Sequence, residues 1–69
     1  MEIFSTRLKA VLEKRGFSQR KFASVLDVDQ TAVCKLCNGQ RLPSVTMLLR
    51  ICEFLDVSAD YLLGLTDEF

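Results

Sequence analysis

Four short polar residues, each placed before an apolar segment, most tightly constrain what this chain can become. Ser18, Asp29, Ser44 and Ser58 are all N-cap types, whose side-chain oxygens can accept from the first free N–H groups of a helix. Three of them are bracketed by apolar pairs at staple spacing: Phe17 with Phe22, Val28 with Val33, and Val57 with Leu62. Stops follow at matching distances. Gly16, Asn38-Gly39 and Gly64 are residues suited to the left-handed conformation that ends a helix. With Ile3, Phe4, Leu8, Val11 and Leu12 forming one face of an opening helix, the punctuation predicts five helices, over 2–15, 19–26, 30–37, 45–55 and 59–63. No alternating strand pattern competes with them.

A chain of 69 residues is one small domain, near the lower size limit for a single core. Every helix must therefore contribute to that core. The expected set is Phe4, Leu8, Val11, Leu12, Phe17, Phe22, Ala23, Leu26, Val33, Leu36, Leu48, Leu49, Cys52, Leu55, Val57, Leu62 and Leu63. The domain is expected to span 1–64. Residues 65–69 are expected to form a short C-terminal tail that frays.

Composition removes several function classes. There is no His, so imidazole acid–base catalysis and His-containing zinc sites are excluded. No nucleophile–base pair, carboxylate dyad or phosphate loop is present, and the chain is not expected to be an enzyme. No apolar run approaches a membrane span, and no signal peptide is visible. Cys34, Cys37 and Cys52 are an odd set, expected to be reduced thiols in a cytoplasmic protein. Cys34 and Cys37 form a C-x-x-C without the βαβ context of a redox motif. No cofactor or small-molecule ligand is implied.

Net charge is zero but unevenly spread. Residues 1–41 hold eight basic and four acidic side chains, a net of +4, and residues 42–69 hold one basic and five acidic, a net of −4. An anion-facing half and an acidic half are the expectation. Residues 18–37 add geometry to this: two short capped helices joined through Asp27-Val28-Asp29 have helix-turn-helix spacing. Asp27 tolerates the left-handed backbone such a turn needs, and Ala23 is small where the helices should cross.

In these features the chain resembles the phage-repressor-like (Cro/CI, XRE-type) helix-turn-helix domain. The matching residues are Arg7-Leu8-Lys9, Gly16-Phe17-Ser18-Gln19, Phe22-Ala23, Val28, Val33, Leu36, Asn38-Gly39, Pro43-Ser44, Leu48-Leu49, Leu55-Asp56-Val57-Ser58 and Asp60-Tyr61-Leu62-Leu63-Gly64. The resemblance implies an all-α, compact five-helix, lambda-repressor-like fold with the helix-turn-helix at helices 2 and 3. It implies a sequence-specific transcriptional regulator, a repressor, that reads double-stranded DNA in the major groove as a homodimer. Gln30, Thr31 and Lys35 would then face base edges, and Gln19, Arg20, Asn38, Gln40 and Arg41 would contact phosphates.

The chemistry of these side chains suits those roles. Gln pairs bidentately with adenine, Lys donates to guanine O6 and N7, and a helix N-terminus presents N–H groups to phosphate. Helix 5 with Tyr61, Leu65 and Phe69 is the expected dimer surface. Three departures stand out. Leu12 and Cys37 occupy positions where many relatives carry an Arg and a Glu that pair in the interior. Asp27 replaces the usual turn Gly. The pI is near 6.1, low for a DNA binder. Two other readings share the fold: a protein-binding adaptor or antirepressor-type module, and a thiol sensor using Cys34 and Cys37.

Overall fold

The computed structural model describes residues 2–68. It contains five helices: α1 (Glu2–Arg15), α2 (Gln19–Leu26), α3 (Gln30–Cys37), α4 (Val45–Leu55) and α5 (Ala59–Leu63). Among the described residues there is no strand. The bounds are those predicted from the caps and stops, because local hydrogen bonds set them. Ser18, Ser44 and Ser58 accept from the backbone N–H groups of Lys21, Met47 and Tyr61 at 3.0, 3.1 and 3.1 Å. Each such cap stabilises by about 1 kcal/mol. Asp29 holds the N-cap position of α3 but makes no side-chain cap hydrogen bond. Phe17 meets Phe22 edge-on, with ring centroids 6.0 Å apart, as the staple requires.

α1 runs through the middle of the fold and packs on α3, α4 and α5. Its Phe4, Leu8, Val11 and Leu12 join Phe22, Ala23, Leu26, Val33, Leu36, Leu55, Val57 and Leu62 in one buried cluster, as expected. Three residues outside the expected set are also buried: Cys37, Ile51 and the polar Ser5, whose hydroxyl donates to the Glu2 carbonyl at 2.9 Å. Leu49 departs in the other direction. It is 59% exposed, with Val45 at 85%. α4 keeps Thr46, Arg50 and Glu53 on one face, but its apolar arc is wider than the strip the core can cover, so the pattern leaves open which apolar edge stays outside. The helix buries Ile51 and Leu55, with Met47, Leu48 and Cys52 at the border, and leaves Val45 and Leu49 outside. Leu63, also expected inside, is half-buried, as is Phe17.

Three arginines close helix C-termini, where carbonyls lack partners and the helix dipole favours a cation. Arg15 donates to the carbonyls of Leu55 and Asp56 at 2.8 and 3.1 Å, at the end of α4. Arg50 donates to the Leu26 carbonyl at the end of α2. Arg7 donates to the Tyr61 carbonyl in α5 at 2.9 Å and to the carbonyl of Thr66. It also pairs with Asp67 at 2.8 Å and lies over the Tyr61 ring at 4.5 Å. The segment after Gly64 is therefore not a fraying tail up to Asp67. The Leu65 N–H donates to Asp60 at 2.8 Å, and Arg7 clasps the next two residues.

Arg7→Ala is expected to lower the free energy of unfolding by about 2 kcal/mol, the scale of hydrogen bonds from a charged group. Urea unfolding measures this. Amide exchange should show Leu65 losing protection. Arg7→Lys should recover only part, because an ammonium cannot reproduce the guanidinium fork.

Candidate nucleic-acid interface

The interface is built on the turn between α2 and α3. Asp27 adopts φ 58°, ψ 47°, and ends α2 with its N–H on Ser24 at 3.2 Å, while the Val28 N–H reaches Ala23 at 3.0 Å. This left-handed closure redirects the chain within three residues. Asp does here what Gly does more freely. Ala23 is 3% exposed, and α2 and α3 form the most extensive helix pair of the fold.

α3 turns Val33, Leu36 and Cys37 inward. The helical period then leaves Gln30, Thr31, Cys34 and Lys35 exposed on its other side. Gln30, Thr31, Cys34, Lys35 and Gln40 line one shallow surface concavity. The three residues expected to meet base edges are thus together on one face, and Gln40 borders them.

The residues expected to meet phosphates are more dispersed. Gln19 opens α2, half-buried beside Lys9, Leu12, Glu13 and Phe17. Arg20 is exposed next to it. Asn38 ends α3 and is held from both ends of its amide: Oδ1 accepts from the Gln40 N–H at 3.3 Å, and Nδ2 donates to Cys34 Sγ at 3.8 Å. The Gln40 N–H also donates to the Lys35 carbonyl at 3.0 Å, which tightens the loop onto the helix. Arg41 lies apart from Lys35, in a neighbouring concavity with Asp29, Ala32 and Ser44.

The C-x-x-C thiols occupy opposite environments. Cys34 is exposed and Cys37 buried. Leu12 and Cys37 are 3% and 1% exposed and belong to the same apolar cluster. Burial pushes the Cys37 thiol up to about 11, against a smaller opposing pull from the Lys9 ammonium. Two residues near this face were given no DNA-contacting role from sequence. Lys9 is close enough to Cys37 to act on its charge and borders Gln19. Cys34 sits amid the base-facing set, and its spacing of four from Gln30 and three from Thr31 was the available signal.

Comparison with known proteins agrees with this geometry. A family model described as helix-turn-helix matches residues 8–62. An uncharacterized HTH-type transcriptional regulator of Bacillus subtilis (strain 168), YazB, is 31% identical over 61 residues, covering 88% of this chain and 88% of its own. The HTH-type transcriptional regulator ImmR of the same organism is 33% identical over 58 residues, covering 84% of this chain and 46% of its own. No described helix is long and apolar enough to cross a membrane.

A disulfide reagent is expected to label the exposed Cys34 in the folded chain and the buried Cys37 only on unfolding. The pH dependence follows in sign. The Cys37 thiol ionises near 9.0 when unfolded and near 11 when folded, so folding keeps a proton that the unfolded chain loses. This contribution is fully present below pH 9 and declines between about 9 and about 11. Thermal melts should show that decline, and Cys37→Ala should lack its share of it.

Proposed function

The chain belongs to the helix-turn-helix family, and from that premise we propose that it is a sequence-specific double-stranded-DNA-binding transcriptional repressor acting as a homodimer. One observation carries the reading beyond family membership: Gln30, Thr31 and Lys35 stand together on the exposed side of a helix whose other side is locked in the core. A helix so placed enters the major groove with donors and acceptors turned to base edges. Gln30 pairs with adenine, Lys35 donates to guanine, and Thr31 contacts a thymine methyl or a base edge between them.

Phosphates would be held by Gln19 and Arg20 at the start of α2, where backbone N–H groups of the first turn add their dipole. On the other strand they would be held by Asn38, Gln40 and Arg41. The domain proper is residues 1–64, followed by a short tail. It works in the cytoplasm, with its thiols reduced. Residues on α3 span few base pairs, so specificity comes from pairing two copies on a two-fold site, with the α3 helices about 34 Å apart. A protomer 29 Å in its longest extent suits that spacing. Leu65, 74% exposed at the end of α5, offers apolar surface for the pairing, beside Tyr61 under its Arg7 lid. Phe69, expected in the same surface, lies outside the described residues.

A protein-binding reading of the same fold has its own support. Leu42, Val45 and Leu49 are exposed at the start of the acidic half. The two readings separate in one experiment: selection from random duplexes, followed by fluorescence anisotropy across a salt series. The DNA reading expects a two-fold symmetric motif, with affinity falling as salt rises. Gln30→Ala and Lys35→Ala should each weaken binding about five- to hundredfold and relax one base position. Arg41→Ala should weaken all sequences alike and lower the salt slope by about one. No duplex retained at low salt, with a native circular dichroism spectrum, would contradict the DNA reading and favour a protein partner.

A further inference from the structure

We propose that Cys34 is a specificity-determining residue that recognises the 5-methyl group of a thymine in the bound site. The inference rests on the DNA-binding reading and deepens it. At about 100° per residue, Cys34 lies between Gln30 and Thr31 around α3, near the middle of the exposed arc that Lys35 closes. It lines the same concavity as those three residues and Gln40. A helix seated with Gln30, Thr31 and Lys35 toward base edges turns Cys34 toward the groove as well.

The chemistry of Cys34 differs from that of its neighbours. Gln30, Thr31 and Lys35 all present hydrogen-bonding groups. Cys34 presents a small, polarizable, largely apolar side chain. Its sulfur already accepts from Asn38 Nδ2 at 3.8 Å, and the Asn38 amide is itself fixed by the Gln40 N–H. That chain of contacts orients the thiol and engages its acceptor side, leaving soft apolar surface toward the groove. A thiol donates weakly, so it reads polar base edges poorly. The major-groove feature that suits such a surface is the thymine methyl group. The same contact makes Asn38 a positioning residue, linking a proposed phosphate-holding loop to base readout.

The test uses the tightest duplex selected from a random pool. Each thymine in it is replaced in turn by deoxyuridine, which lacks only the methyl group. At one thymine per half-site the replacement is expected to weaken wild-type binding about fourfold, the effect of one buried methyl. With Cys34→Ser protein, whose hydroxyl keeps the size but is hydrated, the same replacement should have no effect. Cys34→Ala, which keeps an apolar but shorter side chain, should show an intermediate penalty. A selected site in which no thymine shows a methyl penalty that is lost in Cys34→Ser protein overturns the assignment while leaving DNA binding intact; a penalty equal in both proteins marks a methyl read by another residue, such as Thr31. Failure of the wild-type chain to retain any duplex overturns both.

Discussion

The structure depends on the burial of one stripe of α1. Phe4, Leu8, Val11 and Leu12 are each at most 3% exposed, and α3, α4 and α5 all pack against the helix that carries them. A domain this small has no second core to fall back on. The stripe therefore fixes the rotation of α3, because Val33, Leu36 and Cys37 have to join it. Once that side is committed, the opposite side of α3 must face solvent, and Gln30, Thr31, Cys34 and Lys35 are placed there by the helical period alone. Leu12 and Cys37 both lie in this buried cluster, so the interior at these positions is apolar and no charge has to be desolvated there.

Two groups stand out among the cations. Arg7, Arg15 and Arg50 close the C-termini of α5, α4 and α2, and work as internal fasteners. They contribute to the fold through carbonyls that would otherwise lack partners. Lys35, Arg20 and Arg41 lie on the α2–α3 side or the loop that follows, and Lys9 approaches it from α1. The low pI is therefore a poor guide to the charge any anion would meet at α3. Long-range steering should be weak in a molecule of zero net charge, and local contacts have to supply affinity.

Much of this was legible in the sequence, and the reasons are local. Serine caps, apolar staples and left-handed stops act over three to five residues, so Ser18, Ser44, Ser58 and Gly64 mark their helices before any tertiary contact is known. The face of α3 was legible because Val33 and Leu36 fix its phase. The inward face of α4 was legible only in part, because Val45, Leu48, Leu49, Ile51, Cys52 and Phe54 spread over an arc wider than the strip it buries, and packing had to choose the edge left outside. The clasp by Arg7 was also invisible. It joins residues about sixty positions apart, and the sequence shows only a polar ending. Cys34 was overlooked for a different reason: its residue type suggested filler or redox chemistry, while its position belonged to the exposed arc.

If one face of α3, presented by the α1 core, meets DNA, titrating the 15N-labelled chain with a selected duplex reports it residue by residue through amide shifts. Shifts concentrated at Gln19, Arg20, Gln30, Thr31, Cys34, Lys35 and 38–41, with the α1 stripe unmoved, are the predicted result. Shifts confined to α4 and α5, or no shifts at low salt, would contradict it.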